Sequence, residues 1–95
     1  MTYDEFIETT KKPAPPADLS DLLLALWRDR NGEWDEAHRI AQGVSTEAGS
    51  AVHAYLHRVE GDIGNARHWY SRANRTEFSG ALEAEWEALA RELTG

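Results

Sequence analysis

A pattern that recurs after 29 residues constrains the fold of this chain more than any other feature of its sequence. Small residues allow two helices to approach closely, and a glycine suits the left-handed position that ends many helices. The repeat therefore predicts two helical hairpins, each of which buries its apolar face against the other. The matched pairs are Ala25 and Ala54, Gly32 and Gly61, Glu33 and Asp62, Trp34 and Ile63, and Ala37 and Ala66.

Apolar residues follow a helical period through most of the chain, and no segment alternates as a strand would. We therefore predict an all-α protein, a right-handed array of antiparallel helical hairpins with four to five helices. Residues 18–95 form the repeat domain in this interpretation. Its predicted helices run from Asp18 to about Arg30, from Glu33 or Trp34 to Gln42, from Glu47 to Val59, from Asp62 onward, and from Ala81 to Leu93.

Residues 1–17 form a separate N-terminal segment in the same interpretation. Thr2 and Glu5 have the spacing of a capping box, in which the two residues cap the start of a short helix. Three prolines between Lys12 and Ala17 then favour an extended, rather stiff connector. The sequence leaves open whether the first helix docks on the repeat domain.

Composition and charge exclude several classes of function. The chain of 95 residues has no cysteine, which rules out disulfides and thiolate metal sites. A net charge of −7 argues against nucleic acid as a partner, because nucleic-acid binding depends on neutralising phosphates. The longest apolar run, residues 22–27, is too short to cross a bilayer. With no secretory signal at its start, the chain is expected in the cytoplasm and away from membranes.

The turns and second helices of the two copies carry a family resemblance. Gly61-Asp62-Ile63-Gly64-Asn65-Ala66 with Trp69-Tyr70-Ser71-Arg72-Ala73, and Gly32-Glu33-Trp34-Asp35-Glu36-Ala37, resemble tetratricopeptide and Sel1-type repeats. The resemblance implies stacked hairpins that bind protein partners. The offset of 29 is shorter than the roughly 34 residues of a tetratricopeptide repeat, so the hairpin geometry carries over better than the peptide-binding groove. The chain also looks like a small bacterial protein family of unassigned function.

Three of the four histidines form the one chemical constellation of the sequence. His53 and His57 are four residues apart, so both rings project from one face of a helix and can hold one metal ion. If the two helices around residues 44–47 pack antiparallel, His38 comes level with His53. Glu60 lies on the same flank as a further ligand or as a hydrogen-bond acceptor for a histidine.

Two interpretations of these histidines stay open at the level of the sequence. Zinc held by His38, His53 and His57 would make a small metal- or ligand-binding protein, with a hydrolase as the enzyme that such a site can support. Imidazoles beside a core are also commonly hydrogen-bonded structural groups, and those held neutral there would make the fold sensitive to acid.

The first functional hypothesis is a protein-interaction or self-association module that is not an enzyme and needs no cofactor. Residues 58–75 contain four arginines and only two acidic residues, so this segment is a small basic region in an acidic chain. Exposed aromatic residues beside arginines favour contact sites. The predicted interaction surface consists of Trp69, Arg72, Arg75 and Trp27, and the predicted partner is another protein or a second copy of the chain.

Overall fold

Six α-helices and no strand make up the computed structural model, which describes all 95 residues. The prediction of an all-α protein is confirmed, and the number of helices exceeds the four to five expected. The additional helix is the short N-terminal one, which packs against the last helix of the chain. The helices are α1 (Tyr3–Thr9), α2 (Asp21–Arg30), α3 (Trp34–Gln42), α4 (Glu47–Glu60), α5 (Ile63–Arg72) and α6 (Leu82–Thr94). None of them is long and apolar enough to span a membrane.

Side-chain caps define where most of these helices begin. Thr2 and Glu5 form the expected capping box of α1, and the Asp62 carboxylate caps α5. The helix α2 begins at Asp21, later than the predicted start at Asp18, and the Ser20 hydroxyl accepts from the Leu23 N–H. Before α6, Ala81 occupies the cap position, and its side chain has no acceptor to offer.

Two left-handed glycines reverse the chain between paired helices. Gly32 has a φ of +80° between α2 and α3, and Gly61 has a φ of +86° between α4 and α5. A side chain at such a φ is strained, so glycine suits both positions. These turns pack α2 against α3 and α4 against α5, while α3 also packs against α4. The two glycines that the repeat places in register thus have the same conformation in the structure.

The N-terminal helix closes the core. Phe6 of α1 is fully buried and stacks on Trp86 of α6 at 5.8 Å between ring centroids. Trp27 of α2 is 1% exposed, and its indole N–H donates to the Thr9 carbonyl at the end of α1. Trp27 therefore lies in the core and does not contribute to a surface, contrary to the sequence-based expectation.

Two large apolar residues expected in the core are partly exposed instead. Ile63 is 44% exposed and Leu82 is 38% exposed. Each is the first residue of its helix, so its side chain projects past the neighbouring helices rather than between them. The later turns of α5 and α6 carry the buried residues, among them Tyr70 and Trp86.

A buried carboxylate joins three helices. Glu85 of α6 is 3% exposed, and it accepts from Arg58 of α4 and from the Tyr70 hydroxyl of α5, each at 2.5 Å. Arg58 also donates to the Gly80 carbonyl at 2.7 Å, which holds the linker before α6. Burial, followed by the hydrogen bond to Glu85, raises the pKa of Tyr70. All charges of this network are therefore paired inside the fold.

We expect Glu85→Ala to lower the free energy of unfolding by about 3 kcal/mol, because Arg58 and Tyr70 lose their buried acceptor. Urea unfolding followed by circular dichroism measures the change. The matched control on the same helix is Glu87→Ala, which removes an exposed pair with Arg91 and should cost less than about 1 kcal/mol. Equal effects of the two substitutions would contradict the assigned role of Glu85.

Candidate metal centre

Three imidazole rings meet between α3 and α4. The Nε2 atoms of His38 and His53 lie 2.8 Å apart, so one ring donates a hydrogen bond to the other. The ring centroids are 4.5 Å apart for His38 and His53, 5.0 Å for His38 and His57, and 4.8 Å for His53 and His57. The juxtaposition that antiparallel packing of these helices predicts is present in the structure. Whether the rings bind a ligand stays a prediction.

Each histidine reaches the cluster from a defined position on its helix. His53 and His57 occupy successive turns of α4 and are 3% and 5% exposed. His38 comes from the middle of α3 and is half-buried, so the cluster opens toward solvent on its side. The sequence predicted that His53 and His57 lie on the flank of their helix. They are buried because α3 and α5 cover the two sides of α4.

Glu60 fixes the third ring. Its carboxylate accepts a hydrogen bond of 2.5 Å from Nδ1 of His57. Because Nδ1 carries the proton of this bond, Nε2 is the His57 nitrogen that can offer a lone pair to a metal ion. A carboxylate behind a histidine is the usual arrangement around metal-binding imidazoles, where it sets the tautomer and the ring orientation.

Two tryptophans enclose the cluster. Trp34 stacks on His38 with ring centroids 4.8 Å apart, and Trp69 stacks on His53 at 3.9 Å. Trp34 is held by a hydrogen bond of 2.7 Å from its indole N–H to the Leu56 carbonyl. The contact between Trp34 and the histidines was not among the predictions from the sequence. The four-residue spacing of Trp34 and His38 on one helix was the signal for that contact.

This enclosure favours uncharged imidazoles. Burial, followed by the proximity of His38 and His57, lowers the pKa of His53 to about 4. The pKa of His38 is also lowered, first by burial and then by His57. Neutral rings offer lone pairs, so at neutral pH these two histidines are in the form that binds a metal ion.

The donor atoms are close to the geometry of a metal site. One ring nitrogen of each histidine lies within 4.8 Å of the other two. Metal–nitrogen distances of about 2.0–2.1 Å in a tetrahedral site require nitrogen atoms about 3.3 Å apart. To bind one ion, the Nε2 atoms of His38 and His53 would move apart from 2.8 Å, and any ring nitrogens farther apart than about 3.3 Å would move closer together.

The predicted interaction residues have separate surroundings. Trp69 is half-buried because one face of its ring lies on His53. The Arg72 guanidinium lies 5.3 Å from the Trp69 ring centroid and has no carboxylate within ion-pair distance. Arg75 instead donates two hydrogen bonds, of 2.9 and 2.6 Å, to Glu92 on α6. Only Trp69 and Arg72 therefore share one surface, and Arg75 ties the linker to α6.

Comparisons of this chain with protein-family models, with curated proteins and with solved structures give no match.

The metal-free protein should lose stability as the pH falls from 7 to 5. Below pH 6.5 the unfolded chain protonates His53, whereas the folded chain holds it neutral until the pH approaches its pKa of about 4. Proton binding then favours the unfolded state, and one pKa unit corresponds to about 1.4 kcal/mol, so we expect a loss on the order of 2 kcal/mol at pH 5.

Urea unfolding in the presence of a chelator measures this dependence. A His53→Gln variant should show a smaller loss between pH 7 and 5, since the amide does not titrate. The control variant His68→Ala removes an exposed histidine outside the cluster and should keep the dependence of the wild type. A wild-type stability that stays constant over this range would contradict the prediction.

Proposed function

We propose that this chain is a small metal-binding protein that holds one divalent ion, with zinc as the best-fitting candidate, on His38, His53 and His57. The observation that supports the proposal is the meeting of three imidazoles, two of them buried and one half-buried, with one ring oriented by a carboxylate. Nitrogen ligands of this number suit zinc, copper and nickel, and three histidines with a fourth position open are a known arrangement for zinc.

The arrangement supports binding more directly than a particular reaction. A zinc ion on three histidines lowers the pKa of a bound water and polarises a carbonyl group. Glu60 already accepts from His57, so it is committed to orienting that ring. Hydrolysis remains the reaction class that a bound water would serve. The function that we assign is the binding of the ion itself.

The wild-type chain, purified without a histidine tag, should bind about one zinc ion through its three ligands. Binding to the folded state alone raises stability by about 2.7 kcal/mol when free zinc is 100 times the dissociation constant. His53→Ala removes the central ligand and should abolish this stabilisation. Competition with a chromophoric chelator measures the affinity, and thermal unfolding measures the stabilisation.

Two further variants separate the cluster from nonspecific zinc binding. His68→Ala removes an exposed histidine and should bind as the wild type does. Glu60→Gln keeps the three ligands but loses the charged partner of His57, and we expect a 10- to 100-fold lower affinity. If the wild type and His53→Ala bind zinc equally well, the proposal is wrong.

A second candidate function is self-association through Trp69 and Arg72. It is favoured by an arginine that has no ion-pair partner and lies over a half-buried tryptophan. The two hairpins, with equivalent left-handed glycines, are the feature that supports a right-handed tetratricopeptide-like arrangement, which we propose together with this function.

Sedimentation velocity over a range of concentrations tests the second candidate. Wild-type protein should show a sedimentation coefficient that rises with concentration, and Arg72→Glu should remain monomeric with unchanged helicity. The matched control Arg67→Glu changes another exposed arginine of α5, which pairs with Glu77, and should behave as the wild type. A wild-type chain that sediments as a monomer at every concentration would remove this candidate.

A further inference from the structure

A cavity of about 270 Å³ lies next to the histidine cluster. It is formed where the end of α3 and the loop after it face the first turns of α4 and the last turn of α5. At about 30 Å³ for each water molecule, the cavity has room for about nine waters or for a small organic molecule. The residues that matter below are Glu47, Ser50, His53, Trp69 and Arg72, which all line it.

Two buried polar side chains of α4 face this cavity. Ser50 is 9% exposed and His53 is 3% exposed, and they lie on successive turns of the helix. The Ser50 hydroxyl has no hydrogen-bond partner in the protein. His53 uses Nε2 in its contact with His38, which leaves Nδ1 without a partner. The cavity lining thus includes a serine and a histidine that each have a polar side-chain atom without a protein partner.

Positive charge at the cavity favours an anion. The Arg72 guanidinium is exposed and has no ion-pair partner. The backbone N–H group of Glu47, a cavity residue at the start of α4, is not bonded to another backbone group. Free N–H groups at a helix start attract negative charge, and a guanidinium binds a carboxylate through two parallel hydrogen bonds.

Glu47 limits how much negative charge the cavity accepts. Its carboxylate lines the same cavity and is not part of an ion pair. A ligand with one negative charge can turn that charge toward Arg72 and away from Glu47. A second negative charge would lie close to Glu47 and be repelled. The lining therefore fits a monocarboxylate better than a dicarboxylate or a phosphate.

Metal binding would make His53 a hydrogen-bond donor toward this cavity. When Nε2 of a neutral imidazole binds a metal ion, the ring proton must reside on Nδ1. Histidines that bind metals usually donate this second N–H to a carboxylate or carbonyl. His57 has Glu60 for this purpose, and His53 has no such group in the protein. A carboxylate in the cavity would supply it.

We propose that this cavity binds a small monocarboxylate and that the bound carboxylate raises the affinity of the histidine cluster for its metal ion. The ligand would accept from Nδ1 of His53, from Ser50 and from Arg72. This inference rests on the proposed function, because the metal ion is what fixes the proton of His53 on Nδ1. Linkage makes the effect reciprocal, so the metal ion also raises the affinity for the carboxylate.

The test measures zinc affinity by chelator competition with and without propionate, in the full-length wild type and in variants. Coupled sites typically change affinity by about 5- to 150-fold, so we expect at least about a fivefold gain for the wild type at saturating propionate. Arg72→Gln should lose the gain and keep the zinc affinity measured without propionate. Arg67→Gln, on the same helix but outside the cavity, should keep the gain.

The possible results separate this inference from the function on which it rests. No zinc binding by the wild type would overturn both. Zinc binding with no propionate effect would overturn the carboxylate site alone. A gain that persists in Arg72→Gln would also overturn it, because the propionate would then be bound to the open position of the ion. Nitrogen-15 imidazole spectra of the zinc-loaded protein give an independent measurement, in which the Nδ1–H signal of His53 should shift with propionate.

Discussion

The burial of α4 on all sides is the constraint on which the rest of the structure depends. Nine consecutive residues, from Gly49 to His57, are buried, and α2, α3, α5 and α6 all pack against this helix. Its small residues permit this close approach. A side chain at Gly49 would place its Cβ 2.1 Å from the Val44 carbonyl oxygen, so that position requires glycine. The polar residues of α4 must consequently find partners inside the protein.

Different sides of α4 meet this requirement in different ways. Toward α6, Arg58 pairs with Glu85, and toward α2 the hydroxyl of Tyr55 donates to Asp29 at 2.7 Å, so the charges and donors are satisfied within the fold. Toward α3, His53 and His57 contact His38 and two tryptophans, and a single hydrogen bond joins the rings of His38 and His53. A metal ion can accept lone pairs from several neutral imidazoles at once, whereas a hydrogen bond joins only one donor and one acceptor. For this reason we favour a metal site over a purely structural network for the three histidines.

The proposed metal centre and the neighbouring cavity share one side chain. Nε2 of His53 contacts His38 in the cluster, and His53 also lines the cavity, so the two proposed sites share this ring. Trp69 lies against the same ring and forms part of the cavity wall. Trp69, which was predicted to be an exposed contact residue, thus also shields the His53 ring from water, and this burial lowers the pKa of His53.

Local signals in the sequence determined the helices, the left-handed turns at Gly32 and Gly61, and the spacing that makes His53 and His57 neighbours, because caps, glycines and helical periods act over a few residues. The approach of His38 followed from the short loop between α3 and α4. Only the tertiary structure decided the rest. Trp27 is buried because α1, distant in sequence, covers it. Glu85 is buried because its hydrogen bonds from Arg58 and Tyr70 offset the free-energy cost of removing a carboxylate from water. Such contacts depend on how helices dock, which the period of a single helix does not encode.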